Sequence, residues 1–105
     1  MTTYREISPN DAYSARSKVR LVDVREPHEL VGDLGRIPGS ESVPLATLPA
    51  AAKAWDRSTE IVLVCRSGAR STNAAKLLVQ AGFGRVANMT GGMIAYNAVG
   101  LPITK

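Results

Sequence analysis

The chain has 105 residues, enough for one compact domain spanning 1–105 and too few for two. Hydrophobic residues make up 45% of it and charged residues 21%, which excludes a disordered tail protein, while 5% aromatic content calls for a core of Val, Leu, Ile and Ala. The net charge of +4 comes from scattered basic residues without interleaved aromatic stacking platforms, so it predicts no nucleic-acid partner but a mildly positive surface suited to a small anion.

One cysteine excludes an intramolecular disulfide and a zinc site of several thiolates, and one histidine excludes a His-rich metal cluster. The segment Met1-Thr2-Thr3-Tyr4-Arg5-Glu6 lacks the basic and apolar regions of a signal peptide. No apolar run approaches the ~20 residues of a membrane span. A free thiol without an export signal predicts a cytoplasmic protein with no membrane partner. With no coiled-coil heptad and no long apolar edge strand visible, the sequence does not specify an oligomeric state.

In chain order, residues 3–7 read as a short edge strand. Ser8-Pro9-Asn10-Asp11 then reads as a helix start, with Ser as N-cap, Pro at the first helical position and an acid three residues after the cap; the helix is expected to run to about Ser17. Residues 19–24 (Val-Arg-Leu-Val-Asp-Val) form a β-branched strand, and Pro27 opens a short helix through Leu30 and Val31. Gly32-Asp33-Leu34-Gly35 and Ile37-Pro38-Gly39 are turns, followed by a short strand near Ser42-Val43. Residues 45–55 read as an Ala-rich helix interrupted early by Pro49, and 60–64 as a buried strand. Residues 70–81 place Ala74, Leu77, Leu78 and Ala81 on one helical face, with Gly82 as a C-terminal cap. A last strand over 85–89 and a helix from Gly91-Gly92 to about Val99 complete the chain. Strands alternating with helices predict an α/β fold: an open, mostly parallel five-stranded sheet with helices on both faces. Ligands in such sheets bind beyond the carboxyl ends of the strands.

The lone Cys65 stands at that place. The apolar run Ile61-Val62-Leu63-Val64 breaks into Cys65-Arg66-Ser67-Gly68-Ala69-Arg70-Ser71, after which the helical pattern begins. A lone cysteine is most often a small buried hydrophobe. Here it follows the strand rather than sitting within it, under a helix amino terminus. Gly68 lets backbone N–H groups converge as an anion nest, and Arg66 and Arg70 are expected to depress the thiol pKa. Such a cradle serves either phosphate or a sulfane sulfur. The C-x4-R spacing from Cys65 to Arg70 is one residue shorter than the C-x5-R loop of cysteine phosphatases, and a narrower ring of donors suits a terminal persulfide sulfur better than a tetrahedral oxyanion.

The chain resembles the single-domain rhodaneses, thiosulfate sulfurtransferases. The matching segments occur in the family's order: Leu21-Val22-Asp23-Val24-Arg25-Glu26-Pro27, Gly35-Arg36-Ile37-Pro38-Gly39-Ser40, Val43-Pro44-Leu45, the Cys65 loop with its strand, Gly91-Gly92-Met93 and Gly100-Leu101-Pro102. Arg36 stands where the family usually has His, and Tyr96 where it has Trp. The resemblance implies a rhodanese-like fold and Cys65 as nucleophile and persulfide carrier in a two-step exchange. It also implies Arg66, Ser67, Gly68, Ala69, Arg70 and Ser71 as the substrate-binding loop, thiosulfate as a small anionic donor, and cyanide or a thiol as acceptor. No cofactor and no metal are implied. Two alternatives stay open: a sulfur carrier for a partner protein, which needs the same loop, and a phosphatase-like or arsenate-reductase-like enzyme. Asp23 and Arg25 are expected to be scaffold, His28 surface, and Met93 and Tyr96 core.

Overall fold

The computed structural model describes residues 3–105. Five strands, β1 (Arg5–Ile7), β2 (Arg20–Asp23), β3 (Glu41–Ser42), β4 (Ile61–Val64) and β5 (Val86–Met89), form one sheet in the order β1-β5-β4-β2-β3. All four strand pairings are parallel. The helices are α1 (Pro9–Ala15), α2 (Pro27–Leu30), α3 (Leu48–Ala52), α4 (Ala69–Gln80) and α5 (Gly92–Ala98). None of the described helices is long and apolar enough to cross a membrane.

Side-chain alternation divides the core in two, because successive residues of a strand point to opposite faces. Ile61, Leu63 and Cys65 pack with Val22, Leu48, Ala74, Leu78 and Phe83, under α3 and α4. Val62 and Val64 pack with Leu21, Ala12, Met89, Met93 and Tyr96, under α1 and α5. Every residue of β4 is buried, as a central parallel strand covered on both faces requires. From β2 the chain moves outward to β3, then returns past β2 to β4 and β5. The adjacent ends of β2 and β4 therefore form the switch point of the sheet, where the connections leave in opposite directions. Cys65 follows β4 there, and Asp23 ends β2.

Local signals set several boundaries. Ser8 Oγ accepts from the Asp11 N–H at 3.1 Å with Pro9 in the first turn, the N-terminus expected of α1. That helix stops at Ala15, short of Ser17, and passes into a turn. The single helix expected over 45–55 is instead a 3-10 turn, Leu45–Thr47, and the short α3. Pro49 is the reason: without an N–H it fits only the first turn of a helix, so α3 starts around it. Met93 and Tyr96 are core at 0% exposure, and the Tyr96 hydroxyl donates to the Pro102 carbonyl at 2.6 Å, tying down the C-terminal segment. Arg36, where a His is usual, meets Thr104 in an isolated antiparallel bridge.

Candidate active site

Cys65 is 1% exposed, and its Sγ faces the amino terminus of α4. Gly68, the residue before that helix, has φ +110°, a conformation that L side chains rarely adopt. This bend aims the Gly68 N–H at Sγ, 3.0 Å away. Ser71, one turn into α4 and fully buried, brings its Oγ within 3.3 Å of the same sulfur. Burial alone pushes the thiol pKa up. It is outweighed by hydrogen bonds from the Ser71 hydroxyl and from the backbone of Ser71, Gly68 and Ser67, which hold the thiol below its ordinary value. A sulfur anion is therefore stabilised by fixed dipoles in a largely dry setting.

The two arginines differ from expectation. Arg70 closes a two-point ion pair on Glu29 of α2, Nη1 to Oε1 at 2.7 Å and Nη2 to Oε2 at 2.8 Å. Its pKa is raised, mainly by that hydrogen-bonded Glu29, and only to a lesser degree by the charge of Cys65. Glu29 is held down to about 2, chiefly by Arg70. The thiol is thus acidified by Ser71 and backbone N–H groups, while the charge of Arg70 is paired by Glu29. Arg66 is exposed, as are Ser67 and Ala69, and together they form the rim of the loop. A cavity of about 230 Å³ opens beside this rim, lined by Arg25, Glu29, Gly32, Asp33, Leu34 and Arg66. Larger clefts of about 370 and 320 Å³ lie against the outer sides of α4, and neither is lined by Cys65.

The loop is clamped from below by α5. The Met93 N–H donates to the Cys65 carbonyl at 2.8 Å and the Ile94 N–H to the Arg66 carbonyl at 3.0 Å. Gly92 permits this approach: a Cβ there would meet the Cys65 carbonyl oxygen and the Arg66 carbonyl group at 2.5 Å. At the end of β2, Asp23 and Arg25, each 1% exposed, pair at 2.7 Å. The Arg25 guanidinium also donates to the Gly35 carbonyl at 2.7 Å, so the pair pins the turn bordering the cavity. This is the scaffold role expected of the two residues. His28 is exposed on α2.

Three residues around the loop escaped sequence reasoning: Glu29, Asn88 and Glu6. Asn88 Oδ1 accepts from the Ser71 hydroxyl, and its Nδ2 donates to Glu6 at 3.1 and 3.3 Å. The one available signal was an Asn inside the otherwise apolar strand Val86-Ala87-Asn88-Met89.

A thiol nested at the carboxyl end of a central parallel strand narrows the possible families, and residues 8–98 match the description "Rhodanese-like domain". The chain belongs to the rhodanese-like domain family. A sulfurtransferase from Allochromatium vinosum is 42% identical over 85 residues, covering 81% of this chain and 78% of that protein. The thiosulfate sulfurtransferase GlpE of Stutzerimonas stutzeri is 33% identical over 93 residues, covering 88% and 84%. Among solved structures, a rhodanese-related protein from Thermoplasma volcanium superposes with a TM-score of 0.85 at 31% identity, covering 96% of this chain and 98% of that one. The rhodanese-like fold expected from the sequence is therefore observed, and the chain stands among sulfurtransferases.

Proposed function

We propose that this protein is a thiosulfate sulfurtransferase that carries sulfane sulfur on Cys65. The observation that supports the reading most is the convergence of the Gly68 N–H, at 3.0 Å, and the Ser71 Oγ, at 3.3 Å, on a thiol held below its ordinary pKa. In the first half-reaction the Cys65 thiolate attacks the outer sulfur of thiosulfate. A bond from Sγ to that sulfur forms, the donor's S–S bond breaks, and sulfite leaves with the electron pair. In the second, cyanide or a thiolate attacks the outer sulfur and the Cys65 thiolate departs, restoring the start. Backbone N–H groups of Arg66, Ser67, Gly68, Ala69, Arg70 and Ser71 cradle the anionic sulfur in both states. Arg66, exposed on the rim, attracts the anionic donor.

Family membership and the similarity to proteins named as sulfurtransferases support the same reading. With a single cysteine, the persulfide is discharged to an outside acceptor rather than to a second thiol of the chain. A free reactive thiol fits a reducing cytoplasm. Initial rates with thiosulfate and cyanide varied together test the proposal: a two-step exchange gives parallel double-reciprocal lines and thiocyanate as product. Rapid sulfur loading without thiocyanate turnover would instead favour a carrier for a partner protein, and hydrolysis of an aryl phosphate without loading would favour phosphatase chemistry.

A further inference from the structure

The register of the sheet places Glu6, Asn88 and Leu63 in one row across β1, β5 and β4. Leu63 lies on the face that carries α4, with Cys65 two residues beyond it. Val86 lies on that face as well, and Asn88, two residues on, shares it. Asn88 is only 4% exposed and has both ends of its amide engaged. Its Nδ2 faces both carboxylate oxygens of the exposed Glu6, at 3.1 and 3.3 Å, and Thr90 Oγ1 steadies Glu6 at 2.8 Å. A carboxylate only accepts, so the amide presents its NH2 to Glu6 and its oxygen to Ser71. Ser71 has one hydroxyl proton and three acceptors within reach: Asn88 Oδ1, Cys65 Sγ at 3.3 Å and the Gly68 carbonyl at 3.2 Å.

We propose that Glu6 and Asn88 are positioning residues that draw the Ser71 proton away from the Cys65 sulfur, so that the acidity of the thiol is limited from the neighbouring strands. The inference rests on Cys65 being the sulfur carrier. For such a group the setting matters in both half-reactions: a less acidic thiol is the stronger nucleophile, and a more acidic one the faster leaving group. The charged groups around the sulfur are otherwise committed. Arg70 from α4 is paired with Glu29 from α2, and Asp23 at the end of β2 with Arg25. Arg66 is exposed on the loop, and β5 supplies no titratable side chain. Asn88 is thus the polar group through which β5 reaches the site.

Ultraviolet titration of the thiolate in reduced, sulfur-free protein tests this without any sulfur donor, so its outcome is independent of whether thiosulfate is the substrate. Glu6→Gln changes an exposed, isosteric side chain and frees the Asn88 amide to rotate. It is expected to lower the Cys65 midpoint by about half a pH unit, and Asn88→Ala by up to about one. Removing the Glu6 charge would also lower the midpoint slightly through space, and the Ser71→Ala background separates the two causes. There, only the slight through-space part of the Glu6→Gln shift should remain, well short of about half a pH unit. An unchanged or raised midpoint in Glu6→Gln, or a shift that keeps its full size without Ser71, would overturn the proposal even if Asn88→Ala proved unable to fold.

Discussion

Arg70 and Glu29 stand 41 residues apart in sequence and meet through both guanidinium nitrogens and both carboxylate oxygens, at 2.7 and 2.8 Å. The loop that bears Cys65 is thereby bolted to α2, and the cavity beside it acquires a fixed wall. The guanidinium thus shapes the loop more than it charges the sulfur. Arg70→Lys, which keeps the charge but not the fork, should then lose most of what Arg70→Ala loses, about tenfold to a hundredfold in kcat/KM for sulfur transfer. Glu29→Gln should lie in the same range. A near-native Arg70→Lys beside an inactive Arg70→Ala would show that charge, not geometry, is the contribution.

The same pair sets an acid limit on stability. Glu29 titrates lower in the folded chain, at about 2, than in an unfolded one. Its contribution is therefore complete above the usual carboxylate range and is lost as pH falls toward that value. Urea unfolding of the native chain and of Glu29→Gln should differ most near neutrality and converge on acidification. A difference independent of pH would contradict the pairing.

The buried Asp23–Arg25 pair is a different case, because neither group reaches water. Arg25→Ala leaves an uncompensated buried carboxylate and should cost about 3–5 kcal/mol in unfolding free energy. Asp23→Leu combined with Arg25→Met should recover much of that loss while loosening the turn at Gly35. Denaturant melts of the single and double variants decide it; a mild single-variant effect would show that solvent enters the pair.

Gly92 and Gly100 both have positive φ, +60° and +77°, but only Gly92 is crowded, by the Cys65 and Arg66 carbonyl groups at 2.5 Å. Gly100→Ala should cost the backbone conformation alone, about 1–2 kcal/mol. Gly92→Ala should cost more and also displace the loop, slowing persulfide formation. Equal effects in the two variants would mean that α5 does not position the nucleophile.

What the sequence made legible was local. The run Ile61-Val62-Leu63-Val64 announced a buried strand, Gly68 announced the bend after it, and Ser8-Pro9 announced a helix start, because each signal lies within a few residues of the structure it specifies. Glu29, Asn88 and Glu6 were not legible as neighbours of the loop. Their places depend on strand order and register, which no spacing within one segment encodes. The role first expected of Arg70 was altered for the same reason: its partner comes from a distant helix. The break at Pro49 was visible, but which side of it would stay helical depended on packing against α4.

The most direct test of the central claim is the intact mass of the chain after thiosulfate treatment. A gain of one sulfur atom confined to Cys65, removed by cyanide with an equal amount of thiocyanate and absent in a folded Cys65→Ser variant, is the predicted result. No gain in the native chain, or sulfur transfer that survives Cys65→Ser, would contradict the assignment of Cys65 as the sulfur carrier.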